Sequence, residues 1–145
     1  MKEELETDIK LLFSKLKLWD YKKYDITCSV GQSLGSASIS MMHYLFNCSI
    51  TIQSNKIVIK GFDKYYLDKN KIKDLRQAPE EDIKKALVRF EIQQSDIDSV
   101  SFIASRSDFE IRTTEKMKYH LIRFQPDTSR ERGDKGEKLL RKYMV

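Results

Sequence analysis

Residues 49–61 constrain the fold of this chain more than any other stretch. Isoleucines alternate with other residues on both sides of a polar break at Ser54 and Asn55. The four isoleucines are Ile50, Ile52, Ile57 and Ile59. Two runs of period two that flank a short polar turn are typical of a β-hairpin with one apolar face. Asn also tolerates the positive φ that a tight hairpin turn requires. The stretch therefore predicts a sheet with one buried face.

The length and composition are those of one globular domain. A chain of 145 residues with a hydrophobic content of 40% can build one core and bury roughly two-thirds of its unfolded surface. The N-terminus is acidic, no apolar run approaches the ~20 residues of a membrane span, and two Cys make no disulfide framework. We therefore expect one compact domain over residues 1–145, located in the cytoplasm and not associated with a membrane. Residues 127–145 are a candidate C-terminal helical extension.

The first half of the chain changes from a helical period to a period of two. Apolar residues at helical spacing over residues 4–18, with acids at the start and lysines at the end, predict an amphipathic helix. From Tyr24 to Val30 alternate residues are apolar, which predicts a strand. Residues 36–46 alternate as a strand does but are apolar on both faces. A strand and a helix are both compatible with that pattern, and the flanking β signals favour a strand. The polar and aromatic residues 62–70 are expected to form a connection.

Besides the C-terminal extension, the second half of the chain contains two predicted helices and a second hairpin. Pro79 and three acids open a helix whose apolar stripe is Ile83, Ala86, Leu87 and Phe90. Alternation over residues 100–104 and 109–111, around a polar turn, predicts the hairpin. Residues 115–124 are predicted to form a further helix, because four residues recur there at helical spacing, namely Met117, His120, Leu121 and Phe124. The predicted fold class is α+β, with a mostly antiparallel sheet of four to six strands and helices packed on one face.

The charge distribution allows either a solvated surface or a phosphate-binding one. The net charge is +5, residues 26–62 contain no Asp or Glu, and residues 115–145 contain nine basic residues and five acidic ones. A basic surplus of this kind attracts phosphates. However, Lys outnumbers Arg 19 to 8, whereas sites that recognise bases or phosphates favour the bidentate fork of Arg. Charge alone therefore favours a solvated surface.

Two groups of residues are the candidate nucleic-acid-binding or partner-binding positions. The first interleaves aromatic residues and lysines, as surfaces that stack bases and neutralise phosphates do, and it comprises Lys64, Tyr65, Tyr66, Lys69, Lys71 and Lys73. The second lies in the predicted C-terminal helix, where charges surround an apolar contact, and it comprises Arg130, Arg132, Lys138, Leu140, Arg141, Lys142 and Tyr143. In both groups the alternative is that the aromatic residues complete the core and the charged residues are solvated.

No residue pattern predicts a catalytic, metal or cofactor site. The sequence lacks a P-loop, a dinucleotide fingerprint and the common hydrolase and zinc motifs. Its only Cys and His residues are Cys28, His43, Cys48 and His120, and no two of them have the close spacing typical of zinc ligands. His120 is expected on an apolar helical stripe as a core or boundary residue. We therefore predict no metal, no cofactor and no catalytic residue.

Three functions follow from these observations, in decreasing order of support. The first is a non-catalytic intracellular binding protein, an adaptor or inhibitor, that recognises a protein or a protein–nucleic-acid assembly. The second is a nucleic-acid-binding accessory protein that uses the Lys/Tyr cluster and the basic C-terminal helix. The third is a small hydrolase with an unrecognised site. A protein partner is expected, nucleic acid is the alternative partner, and a homodimer through the last helix is compatible with the sequence.

Overall fold

The computed structural model describes residues 2–18, 24–33, 39–103, 108–115, 118–131 and 142–143. Three α-helices of this part of the chain are α1 (Lys2–Leu18), α2 (Lys64–Lys69) and α3 (Glu80–Ala86). Its seven strands are β1 (Tyr24–Ser33), β2 (Ile39–Gln53), β3 (Lys56–Asp63), β4 (Leu87–Gln93), β5 (Ile97–Ile103), β6 (Asp108–Glu115) and β7 (Lys118–Glu131). Short 3₁₀ turns occupy Leu75–Gln77 and Gln94–Asp96. Among the described residues, none of the helices has both the length and the apolar character that crossing a membrane requires.

All seven strands form one antiparallel sheet in the order β4-β3-β2-β1-β7-β6-β5. The two outermost strands, β4 and β5, are consecutive in the chain and are joined only by Gln94–Asp96. In a flat sheet of this order they would lie about 29 Å apart, because neighbouring strands are about 4.8 Å apart. The four steps from Gln93 to Ile97 span at most about 14 Å. The sheet is therefore strongly curled, and its two edges converge at the Gln94–Asp96 turn.

The concave face of the curled sheet contains the main core. All seven strands contribute buried residues to it, and α1 contributes Ile9, Leu12 and Leu16. The residues of β3 that alternate with Ile57 and Ile59 point to the opposite face. There Phe62 forms a second cluster with Leu67 of α2 and Ile83 of α3. The long helix thus fills the concave side, and the two short helices cover one end of the outer side.

The structure confirms the α+β class, the antiparallel sheet and the hairpin from which the prediction started, although the sheet has seven strands and not four to six. In the hairpin Ile50 is opposite Ile59 and Ile52 is opposite Ile57, so the isoleucines share one face. The helix predicted at residues 4–18 is present as α1, and the strand favoured for residues 36–46 is present from residue 39 onward in β2.

Three local predictions are wrong. Of the helix predicted at 115–124, the described residues are extended: Glu115 ends β6, and residues 118–124 belong to β7, whose backbone pairs with both β1 and β6. The helix that starts after Pro79 ends at Ala86, and Leu87 opens β4, which pairs with β3 along its whole length. The connection expected at residues 62–70 contains the helix α2. In the first two cases a few apolar residues satisfied a helical spacing as well as an alternating one, and pairing with a neighbouring strand decided the outcome.

Candidate functional site: a concave cavity lined by both histidines

A cavity of about 280 Å³ opens on the concave side of the sheet, between edge strand β4 and strands β1, β2, β6 and β7. Its apolar wall consists of Val30, Met42, Val88, Phe90, Ile92 and Ile122. Its polar side chains include His43, Asp96, Thr113 and His120. The two histidines are the only ones in the chain. The curl of the sheet therefore brings together residues from distant parts of the sequence around one concave space.

His43 is held at the cavity by Asp63. The Nδ1 atom of His43 lies 3.2 Å from Oδ2 of Asp63, and the two side chains are 37% and 14% exposed, respectively. The pairing of Leu45 with Asp63 across β2 and β3 places the carboxylate diagonally beside His43 on the same face. An ionised carboxylate can only accept, so Nδ1–H of His43 donates to Asp63, and Nε2 remains for a ligand.

Asp63 also starts helix α2. Its other oxygen, Oδ1, accepts a hydrogen bond of 3.1 Å from the backbone N–H of Tyr65. Asp63 is the N-cap residue of α2, with extended φ and ψ, and a side-chain oxygen at this position satisfies an N–H group that the helix itself cannot pair. One carboxylate therefore orients a cavity histidine and fixes the start of the helix that contains the Lys/Tyr cluster.

His120 reaches the cavity from β7. It lies opposite Thr113 of β6 and Gln32 of β1, and Thr113 is buried. The prediction that His120 lies on a helical stripe is wrong, because residues 118–124 are extended. In the sequence, Ile122 and Phe124 alternate with the polar Arg123 and Gln125, and this period of two is the signal that could have placed His120 on the concave face.

The two cysteines take no part in the cavity. Both are buried in the concave core and neither forms a disulfide. Burial raises the pKa of the Cys28 thiol well above its usual value, and the nearby Cys48 raises it further. A thiol with a raised pKa is a poor nucleophile at neutral pH. Within the described part of the chain, no group of three or more His, Cys, Asp or Glu side chains has an arrangement that could hold a metal ion.

The Lys/Tyr cluster predicted from the sequence lies on and after α2. Lys64, Tyr65, Lys69, Lys71 and Lys73 are exposed, and we call these five residues the α2 surface. Tyr65 is 47% exposed, which leaves much of its ring accessible. Tyr66 belongs instead to the second cluster, where it is half-buried and its hydroxyl donates to Asp82 of α3 at 3.4 Å. The structure thus separates Tyr66 from the other members of the predicted group.

The C-terminal candidates are described only in part. Lys142 is exposed, and its Nζ lies 3.8 Å from Glu80 of α3. Tyr143 is half-buried against the second cluster, against which Tyr66 also packs. The two tyrosines therefore lie on the same side of the protein. Residues 127–131 of the predicted helical extension belong to β7, while 142–143 are helical. The remaining candidates lie outside the described residues or have side chains outside them, and they are Arg130, Arg132, Lys138, Leu140 and Arg141.

Comparison with protein-family models, with curated proteins and with solved structures finds no match for this chain. The features from which a function can be inferred are therefore the cavity with its two histidines and the exposed α2 surface. Of these two features, the cavity combines an apolar wall with a few polar side chains, which is the usual composition of a small-molecule site.

Proposed function

We propose that the protein is a non-catalytic binding protein that holds a small ligand in the concave cavity. The observation that carries this proposal is that both histidines of the chain line one apolar-walled cavity. Ligand sites are typically about 300–1,000 Å³ in volume and mostly apolar, with a few polar groups that fix orientation. A volume of about 280 Å³ is near the lower end of that range, so the ligand is small.

The fixed position of His43 supports binding in a defined orientation. Its hydrogen bond to Asp63 holds the ring before a ligand arrives, so less side-chain entropy is lost on binding. Such a histidine and carboxylate pair can also serve as a general base, which is the arrangement that a hydrolase would use. Both thiols of the chain are buried in the core and do not line the cavity, so a cysteine nucleophile is not available to this pair, and a test for turnover separates binding from general-base hydrolysis.

A thermal-shift screen with small amines, alcohols and carboxylic acids tests the proposal. A ligand present at 100 times its Kd stabilises the folded state by about 2.7 kcal/mol, so a true ligand raises the Tm measurably. Met42 lines the cavity and is 43% exposed, and Met42→Trp should obstruct the opening and abolish the shift. Leu11→Trp, at an exposed position on α1, is the matched control and should retain the shift.

Mass spectrometry of each hit after prolonged incubation separates binding from turnover. Recovery of the unchanged compound is the expected result. A product formed by the wild type but not by His43→Gln would contradict the non-catalytic role and establish the hydrolase alternative. A screen without hits, or hits whose shift survives Met42→Trp, would contradict the cavity as the binding site.

The α2 surface favours a second candidate function, which is recognition of a protein or a protein–nucleic-acid assembly, as an adaptor or inhibitor would perform it. An exposed Tyr65 among four exposed lysines offers a stacking ring and cations to a polyanion or an acidic protein. The excess of positive charge on this segment is modest, because residues 63–74 contain four Lys and three Asp. If the partner is a polyanion, the protein would be a nucleic-acid-binding accessory protein.

A pull-down from host lysate tests this second function. We expect Lys69→Glu with Lys71→Glu to lose the partner, and Lys10→Glu with Lys17→Glu, on exposed positions of α1, to retain it. Nuclease sensitivity and a steep loss of binding with added salt identify a nucleic acid, whereas a partner that survives nuclease is a protein. Equal retention by the two double variants contradicts the second function.

We further propose that the protein acts in the cytoplasm. The support is that its two cysteines do not form a disulfide, since disulfides persist in oxidising compartments and are rare in the cytosol. Fractionation of the host cells with detection of the endogenous protein tests this location, and recovery in a secreted fraction contradicts it.

A further inference from the structure

The charged side chains around the cavity differ in the number of hydrogen-bond and ion-pair partners that they have. Among the described residues that line the cavity, Arg89 is the one Lys or Arg. The NH2 atom of Arg89 lies 2.7 Å from Glu91, and Nζ of Lys56 lies 3.0 Å from the same carboxylate oxygen. Arg89 and Glu91 alternate along β4 with Val88, Phe90 and Ile92, which face the concave core. Because neighbouring residues of a strand point to opposite faces, the charge of Arg89 is directed away from the concave side.

Two other carboxylates of the described residues lie near the cavity, Asp63 and Asp96, and they differ in their partners. Asp63 is satisfied twice, because His43 and the backbone N–H of Tyr65 both donate to it. Asp96 lies in the Gln94–Asp96 turn, lines the cavity and is half-buried. Within the described part of the chain, Asp96 has neither a hydrogen bond nor an ion pair. A carboxylate that borders a cavity without a protein donor is available to a positively charged or donating group of a ligand.

The wall beside Asp96 is apolar and contains an aromatic ring. Val88, Phe90 and Ile92 face the concave side from β4 and pack against the main core, and Ile122 of β7 closes the other side. Aromatic faces attract cations, and aliphatic walls bury the apolar part of a ligand. This combination suits a compact molecule with a cationic end and an apolar body.

We infer that the cavity binds a small primary amine with an apolar body, whose ammonium group pairs with Asp96 while its body lies against Phe90, Ile92 and Ile122. This inference rests on the proposed function and adds the chemical class of the ligand. An anion of the same shape is disfavoured, because it would place a second negative charge beside Asp96 with no free lysine or arginine among the described lining residues to balance it.

Isothermal titration of the full chain with benzylamine, benzyl alcohol and benzoate tests the inference, since these three probes share one ring and differ in charge. Benzylamine should bind at least tenfold more tightly than benzoate, because its ammonium group pairs with Asp96. Asp96→Asn should weaken benzylamine about tenfold or more, which corresponds to the loss of one charge-assisted hydrogen bond. Asp98→Asn, at an exposed position outside the cavity lining, is the matched control and should leave the affinity unchanged.

The outcomes separate this inference from the proposed function. Preferential binding of benzoate, or unchanged benzylamine affinity in Asp96→Asn with its fold intact by circular dichroism, overturns the amine class and leaves the cavity as a binding site. Failure of benzylamine to bind, together with cavity-dependent hits only among the alcohols or carboxylic acids of the thermal-shift screen, also overturns the inference alone. Failure of all probes and of the whole screen overturns both.

Discussion

Asp63 connects the cavity to helix α2 through two hydrogen bonds. A substitution there should therefore lower the free energy of unfolding by an amount that depends on which of the two bonds it retains. In Asp63→Ala both bonds are lost. Loss of an N-cap costs about 1 kcal/mol, and a hydrogen bond between side chains contributes about 0.5–1.5 kcal/mol net. Because the His43 side chain is 37% exposed, solvent reduces the second contribution to the lower end of its range. We expect a total loss of about 1.5 kcal/mol in the free energy of unfolding, which is about 3–6 °C in Tm at this chain length.

Asp63→Asn is the matched variant. Asn caps helices about as well as Asp, and its amide oxygen can still accept from Nδ1–H of His43. We expect Asp63→Asn to lose less than half of what Asp63→Ala loses, with both measured by urea unfolding followed by circular dichroism. Equal losses for Ala and Asn, or no loss for Ala, would refute the double role of Asp63.

Three further predictions concern packing and pH. Gly61→Ala should destabilise the protein by about 1–3 kcal/mol in urea unfolding, as overpacking does, because a Cβ at Gly61 would lie 2.7 Å from Sγ of Cys48 and 2.9 Å from Cβ of Leu45; an unchanged midpoint would contradict this packing. The raised pKa of Cys28 means that the unfolded thiol ionises first, so stability should fall as the pH rises above about 8.5, and this fall should be smaller in Cys28→Ala; identical alkaline profiles would argue against it. Hydrogen bonds from Lys56 and Arg89 lower the pKa of Glu91, so the stability gap between wild type and Glu91→Gln should be present at neutral pH and should close as the pH falls below about 4; a gap that is absent at pH 7, or that widens in acid, would contradict the pairing.

The elements that the sequence predicts well are those in which local pattern and pairing agree. In the hairpin of β2 and β3, the isoleucines alternate, the turn residues suit a tight turn, and Gln53 pairs with Lys56 directly beyond it. Helix α1 combines an apolar stripe with charges that complement its dipole. Residues 118–124 lack such agreement, because a few apolar positions satisfy a period of 3.6 as well as a period of two. Their strand state depends on pairing with β1 and β6, which no local pattern reveals.

The cavity could not be predicted for a related reason. His43 and His120 lie on strands that both flank β1, and they share a face only in the pairing registers that the folded sheet adopts. The wall formed by Val88, Phe90 and Ile92 belongs to an edge strand that the sequence suggested was partly helical. Its position opposite β7 follows from the short Gln94–Asp96 connection between the two sheet edges. The short connection implies a curled sheet only when the strand order is known, and the sequence does not give that order.

The α2 surface, in contrast, was visible in the sequence because it is local. Lys64, Tyr65 and Lys69 fall on one short helix whose exposed positions are charged or aromatic. The sequence did not reveal the helix at residues 64–69, because Asp63, whose side chain caps its first turn, lies among other charged residues in a polar stretch. The sequence also did not show that Tyr66 packs inward, where it joins the second cluster and its hydroxyl donates to Asp82 of α3.

The most direct test of the central claim, that both histidines line one binding cavity, is a titration of the strongest screen hit followed by the carbon–proton spectrum of the histidine rings. The chain has only two histidines, so the spectrum contains one set of ring signals for each, and His43→Gln assigns them. A ligand in the concave cavity should shift both sets, and the two titration curves should give the same Kd. Movement of only one set, or two different Kd values, would contradict a single cavity that holds His43 and His120 together.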